Sequence, residues 1–135
     1  MKKRAISIVG CGVSGLTTAL VLLRQGWEVT IYSDQALEDT TSAIAAAIWF
    51  PYEVRPQDKA TKWSKASYRE FEKLSANPAT GVSMVPLTVI IRNEADAWWK
   101  DALPEKSIRK ASSSEIPESY QLGYRMQVPL IETPL

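Results

Sequence analysis

Six residues near the N-terminus, Gly10-Cys11-Gly12-Val13-Ser14-Gly15, spell G-x-G-x-x-G, and this pattern restricts what the surrounding chain can fold into. Ahead of it, residues 4–9 (RAISIV) are apolar and β-branched, as in a buried strand. Behind it, residues 14–25 (SGLTTALVLLRQ) place Leu16, Ala19, Leu20 and Leu23 on one helical face, with Gly26 positioned to end the helix. Residues 28–32 (EVTIY) alternate as a second strand. Strand, glycine turn, helix and strand in about thirty residues is the opening βαβ unit of a doubly wound sheet. Gly10 permits the tight turn, and Gly12 lets the backbone approach a pyrophosphate without a Cβ clash. Gly15 lets the helix pack close to the sheet. The helix N-terminus, reached through Val13 and Ser14, then offers unpaired N–H groups to phosphate.

A bare G-x-G-x-x-G is weak evidence, but here the required strand precedes it and the required helix follows. A second element supports it. Asp34 follows the second strand, about twenty residues past the glycines, where a carboxylate can accept the hydroxyls of an adenosine ribose. It would repel a 2′-phosphate, and the neighbouring Gln35 supplies no positive charge, so NADP is disfavoured. The turn and Asp34 do not by themselves separate FAD from NAD.

The bulk numbers narrow the remaining choices. The 135 residues suffice for one ordinary domain, and 45% apolar content is enough for a packed core. Sixteen basic residues face fifteen acidic ones, which gives no electrostatic case for nucleic acid or an anionic membrane surface. Histidine is absent, so neither a histidine base nor a histidine metal site can exist within the chain, and no metal site is expected. The single cysteine, Cys11, excludes an internal disulfide and suits a reducing, cytoplasmic setting. Within the glycine turn it reads as a small packed side chain. Lys2, Lys3 and Arg4 before the apolar run Ala5–Leu23 imitate a secretory signal. The glycine spacing and the missing cleavage site argue against one. The interrupting glycines and threonines argue against a membrane span.

Further along, residues 33–41 are polar and read as a loop, and 43–49 (AIAAAIW) are small and apolar, a helix by propensity limited by Pro51. Residues 58–76 form an amphipathic helix with Ala60, Trp63, Ser67, Phe71 and Leu74 on one stripe; Trp63 and Phe71 are its expected core anchors. Residues 82–92 read as one or two strands broken at Pro86, 95–103 as a short helix carrying Trp98 and Trp99, and 107–111 as a strand. Residues 112–119 read as a loop or single turn, and 120–131 as a final strand. The change from alternating elements to strands places a domain boundary near residue 80, giving a dinucleotide-binding region at 1–80 and the first part of a substrate domain at 81–135.

The stretch Thr40-Thr41-Ser42-Ala43-Ile44-Ala45-Ala46-Ala47-Ile48-Trp49-Phe50-Pro51-Tyr52 resembles the segment that follows the second strand in the D-amino-acid oxidase family. The resemblance is specific over 5–52. It continues more loosely through Trp63, Ser67-Tyr68, Trp98-Trp99-Lys100-Asp101 and Ile116-Pro117 to Tyr124. It implies an α/β fold: a Rossmann-like FAD-binding βαβ unit followed by the start of a strand-rich substrate domain. It implies FAD as cofactor, with the hydroxyls of Thr40, Thr41 and Ser42 against the pyrophosphate and the small Ala46 and Ala47, with Ile48, close to the flavin. It further implies oxidative deamination of D-amino acids or related amines, with oxygen reoxidising the flavin. Ala47 stands where family members often have glycine, and Phe50 where some carry an amide, which alters the local flavin contacts.

The family's substrate-binding arginine, active-site tyrosines and second glycine-rich segment come later than this chain extends. Arg125 and Tyr124 read as strand residues rather than substitutes, and no catalytic side chain is assigned. The chain is therefore expected to be an inactive N-terminal fragment that self-associates through unpaired edges of the strands at 82–92 and 120–131 or through exposed apolar faces. Two other functions share part of the same features. An NAD-linked dehydrogenase would share the glycine turn and Asp34 without needing residues 40–52. A non-catalytic nucleotide-binding or interaction module could retain the fold alone.

Overall fold

A computed structural model describes residues 4–132. Lys2 and Lys3, and the closing Thr133-Pro134-Leu135, lie outside the described residues. The chain packs as two compact units, the first reaching Ala46 and taking back Glu132, the second running over Ala47–Ile131.

In the first unit, β1 (Ala5–Val9) and β2 (Glu28–Tyr32) pair in parallel with Ala5 opposite Glu28 and Val9 opposite Tyr32. The helix α1 (Val13–Arg24) connects them. The alternation of β2 matches expectation, but β1 is not buried on both faces. Ile6, Ile8, Val29 and Ile31 are half-buried, while the opposite face is open and Val9 is 89% exposed. On α1 the inward residues are Leu16, Ala19 and Leu22, whereas Leu20 and Leu23 face outward. Gly26, at φ +82°, ends the helix by donating its N–H to the Leu23 carbonyl at 2.9 Å. After β2 the chain forms a 3-10 turn at Leu37–Asp39 and the single helical turn α2 (Thr41–Ile44).

The second unit opens with the short strand β3 (Ala47–Ile48), where helix propensity alone favoured a helix over 43–49. Next comes α3 (Gln57–Leu74) and the long strand β4 (Val82–Ile90), which runs through Pro86 unbroken. A 3-10 segment at Glu94–Ala102, β5 (Ile108–Lys110) and β6 (Gly123–Ile131) complete it. The four strands form one antiparallel sheet centred on β6. β6 pairs with β4 along its whole length, Val82 opposite Ile131 and Ile90 opposite Gly123, and with β3 and β5 on its other side. Pro86 is accommodated because β4 is an edge strand, with one row of backbone groups free of the ladder. The helix α3 packs on β4, β6 and the 94–102 segment, so the packing boundary falls at 46/47, and the expected boundary near residue 80 lies inside the second unit.

The core of this unit joins Trp49, Tyr68, Ile91, Trp99, Leu103, Tyr124, Met126 and Val128. Edge-to-face contacts link Trp49 to Tyr68 at 5.1 Å, Phe50 to Trp99 at 5.1 Å, and Trp99 to Tyr124 at 5.9 Å. The Trp49 indole N–H donates to Ser67 Oγ at 2.9 Å, and the Tyr68 hydroxyl donates to the Gln127 carbonyl at 3.0 Å. Burial pushes the Tyr68 hydroxyl pKa up. Trp63 is not a core anchor: it is 59% exposed, while Tyr68 is buried. Trp63 sits at one margin of the stripe expected for α3 and Tyr68 lies just beyond the other, and the helix is rolled toward Tyr68. Tyr124 and Arg125 are β6 residues. Tyr124 is buried and hydrogen-bonded with Glu94 and Lys100. Arg125 reaches Glu115 and Thr88. Glu115 also receives a two-pronged contact from Arg109, at 2.7 and 2.8 Å.

Two outcomes follow from this packing. Met126→Ala should destabilise the chain by about 2–5 kcal/mol, the usual range for opening a cavity in a closed core. Trp63→Ala should stay within about 0.5 kcal/mol. Urea unfolding of both variants checks the roll of α3, and equal losses would contradict it. The second concerns acid. The Arg109 guanidinium, followed by the Ser112 N–H, holds the Glu115 carboxyl well below its ordinary value of 4.5. A lowered folded pKa contributes stability above that ordinary value, which is lost as pH falls below it. The loss of stability on acidification should therefore be shallower in Glu115→Gln than in the parent chain, as read by thermal melts across the acid range.

Candidate cofactor-binding turn

The end of β1 turns sharply at Gly10, whose φ of +99° lies in a region that side-chain-bearing residues rarely enter. Its N–H donates to the Tyr32 carbonyl at 2.7 Å, so the turn begins while still tied to β2. The chain then enters α1 with Gly12 as N-cap and no capping side chain on that residue. At Gly15 a Cβ would lie 2.0 Å from the Gly10 carbonyl oxygen, so any side chain there would push the helix off the turn. The first turn of α1 carries no acidic residue, leaving the positive end of the helix dipole free of a local countercharge.

The end of β2 is clasped to this turn by Cys11. Its Sγ lies 3.0 Å from Ser33 Oγ and 3.8 Å from the Gln35 carbonyl, to which Ser33 Oγ also donates at 2.9 Å. The small packed side chain expected at Cys11 is thus also a hydrogen-bonding one. Its position beside the end of a parallel neighbour could have raised that possibility from sequence. Asp34 is exposed between these anchored residues and, among the described residues, makes no ion pair.

The three hydroxyls after β2 have different surroundings. Thr40 is 5% exposed; it donates to the Leu37 carbonyl at 2.8 Å and accepts from the Ala43 N–H at 3.2 Å, capping α2. Thr41 is exposed, and its hydroxyl has no protein partner among the described residues. Ser42 Oγ accepts the Val13 N–H at 3.1 Å. The structure therefore brings Gly10, Gly12, Val13 and Gly15 together with Ser42, and Asp34 and Gln35 together with Cys11. Ser14 accepts through its carbonyl from the Thr18 hydroxyl at 2.7 Å within α1. Ala46 closes the first unit. Ala47 and Ile48 belong to the second, where they pair with Ile131 and Leu130 and leave their side chains exposed.

These features fit the ADP half of a dinucleotide. Gly15 is held to glycine by the turn itself, Gly12 leaves a gap a Cβ would fill, the helix end is positive, and a solvent-facing carboxylate sits at the tip of β2. Among the described residues no group of three or more acidic or cysteine side chains could hold a metal ion, and no helix is long and apolar enough to cross a membrane.

Comparison with known proteins adds the family. Residues 5–124 match the DAO family, described as FAD dependent oxidoreductase. The D-amino-acid oxidase of Rubrobacter xylanophilus is 35% identical over 129 residues, covering 94% of this chain and 39% of that protein. The D-amino-acid oxidase of Streptomyces coelicolor is 36% identical over 130 residues with the same coverages, and that of Dictyostelium discoideum is 34% identical over 122. The chain thus spans about two fifths of the length of the curated relatives it matches. The glycine oxidase structure from Bacillus cereus superposes with a TM-score of 0.61 at 18% identity, covering 97% of this chain and 40% of that one, which shows the shared fold. A family match over most of its residues, joined to relatives of this similarity, means that the chain belongs to the DAO family of FAD-dependent oxidoreductases.

Proposed function

We propose that the first unit binds the ADP half of FAD, and that it does so as part of an oxidoreductase that oxidatively deaminates D-amino acids or related amines. The observation that carries this reading is the glycine turn: its close Gly10–Gly15 approach opens the amide end of α1 beside a free Asp34. In this reading Gly10, Gly12, Val13, Ser14 and Gly15 form the pyrophosphate cradle. Asp34 accepts the ribose hydroxyls, and Gln35 borders that contact through its anchored backbone. Thr40, Thr41 and Ser42 form the second wall, and Ala46, Ala47 and Ile48 provide the small surface for the flavin.

When bound, the flavin supplies the redox chemistry, and the protein's part is to bind and orient. The names of the relatives support amino acids as the substrate class. No residue of this chain is assigned to catalysis, because Arg125 is already engaged by Glu115 and Tyr124 is buried in the core.

Titration of the recombinant chain with FAD, followed by the flavin band near 450 nm and by fluorescence, tests the assignment. Asp34→Ala should weaken binding by about 1–3 kcal/mol, the range for a lost charge-assisted hydrogen bond. An unchanged dissociation constant would remove Asp34 from the site. The pure chain is expected to release no peroxide from glycine or a panel of D-amino acids; turnover would overturn the absence of catalytic residues. β6 is paired on both sides, so of the two strands expected to associate only β4 keeps an open edge; that edge and the open face of β1 and β2, with Val9 89% and Tyr32 59% exposed, support self-association of the chain. A strictly monomeric species in light scattering would count against it.

A further inference from the structure

The near-even balance of sixteen basic and fifteen acidic residues is a sum over the whole chain, and α3 does not share it. Residues 59–69 (KATKWSKASYR) carry four cations and no acid, bracketed by Asp58 and Glu70. On the helical repeat, Lys59, Lys62, Lys65 and Arg69 fall within an arc of about 120° along about 15 Å of helix. The opposite side is committed to the core of its unit: Ala60 and Tyr68 are buried, and Phe71 and Leu74 are half-buried. All four cations are exposed, and among the described residues none of them makes an ion pair. Farther along, Lys73 is paired with Glu70 and Lys106 with Glu72, so neutralisation begins where the segment ends. Beside the cations Trp63 is 59% exposed, and Ala66, one turn on, is exposed as well.

We propose that this outer face of α3 is a docking surface for an anionic lipid bilayer, which it meets from the side without crossing. The charge complementarity is direct: unpaired cations face negatively charged headgroups, and each contributes about fivefold to partitioning. An indole has an apolar body and a polar N–H, so Trp63 rests at headgroup depth, between water and the acyl chains. The long stems of Lys59, Lys62 and Lys65 let their ammonium groups reach the phosphate layer around it. Two other partners fit less well. A partner helix would need an apolar seam, and this face offers Trp63 and Ala66 alone. Readout of nucleic acid uses arginine, asparagine or glutamine to reach base edges, whereas three of these four cations are lysine. None of these residues belongs to the glycine turn, so the surface stands apart from the cofactor reading.

The test is co-sedimentation of the whole chain with phosphatidylcholine vesicles, made with and without phosphatidylglycerol; sedimentation without vesicles sets the baseline for self-associated chain. Partitioning should rise at least tenfold with phosphatidylglycerol at about 0.1 M salt and fall back at about 1 M, where surface charges are screened. The double variant Lys62→Gln/Lys65→Gln should lose roughly tenfold or more of that partitioning while melting like the parent. Should that pair disturb folding, Lys59→Gln/Arg69→Gln makes the same measurement on the other two cations. Lipids brominated along the acyl chain should quench the tryptophan emission of the parent, and Trp63→Ala should remove that quenching. Equal partitioning to both vesicle types, charge variants that bind like the parent, or quenching that survives Trp63→Ala would overturn the surface. So would binding of a single-stranded oligonucleotide without binding of vesicles, which would assign the face to nucleic acid.

Discussion

The carbonyl of Gly10 occupies the place where a side chain on residue 15 would stand. That single close approach sets the geometry of the first unit. It brings α1 down onto the turn, keeps β1 and β2 adjacent enough for Gly10 to bond Tyr32, and aims the free amides of the helix past the strand ends. Substituting either glycine would act differently. Gly10 is held by its positive φ, a backbone matter, whereas Gly15 is held by a steric one. The two glycines are adjacent in space, so the tolerance of the turn is narrow at both ends.

Around this frame the polar side chains divide their tasks. Cys11 and Ser33 tie the tip of β2 to the turn, which leaves Asp34 fixed at its base and free at its carboxylate. Thr40 shapes α2 so that Ser42 arrives beside Val13. Under the proposed cofactor reading such fixed groups suit an anion, because flexible ones would lose in ordering what they gained in contact. The second unit has a different principle of construction. Its sheet is held by β6 and covered by α3, and Trp49 joins the two by packing on Tyr68 and donating to Ser67. The Trp49 backbone N–H donates to the Pro129 carbonyl at 2.8 Å, which fixes β3 against β6.

The parts legible in the sequence were those governed by local periodicity or by a residue with one physical use. The βαβ unit, the end of α1 at Gly26 and the amphipathic character of α3 follow from patterns of two and 3.6 residues. A proline within a strand pattern signals a break at Pro86. The edge position of β4 removes that conflict, and an edge is a property of strand order rather than of the strand itself. The short strand at Ala47–Ile48 was likewise hidden, since alanine-rich stretches favour helix and only pairing with Leu130 and Ile131 holds this one extended.

The sequence by itself determined that a glycine turn joins a strand to a helix, that an acidic residue follows the second strand, and that three hydroxyls come next. Residue type suffices for these, because the positive φ at Gly10 and the close approach at Gly15 each leave room for glycine alone. Tertiary structure alone decided how the similar residues differ. Trp63 lies at one margin of the apolar stripe of α3 and Tyr68 just beyond the other, and the roll of α3 buries Tyr68 and exposes Trp63. Thr40, Thr41 and Ser42 carry the same functional group, and what each does depends on which backbone amide lies within reach. Pattern along the chain sets which residues can share a face, but packing between elements sets which of them is buried and which amide each hydroxyl meets.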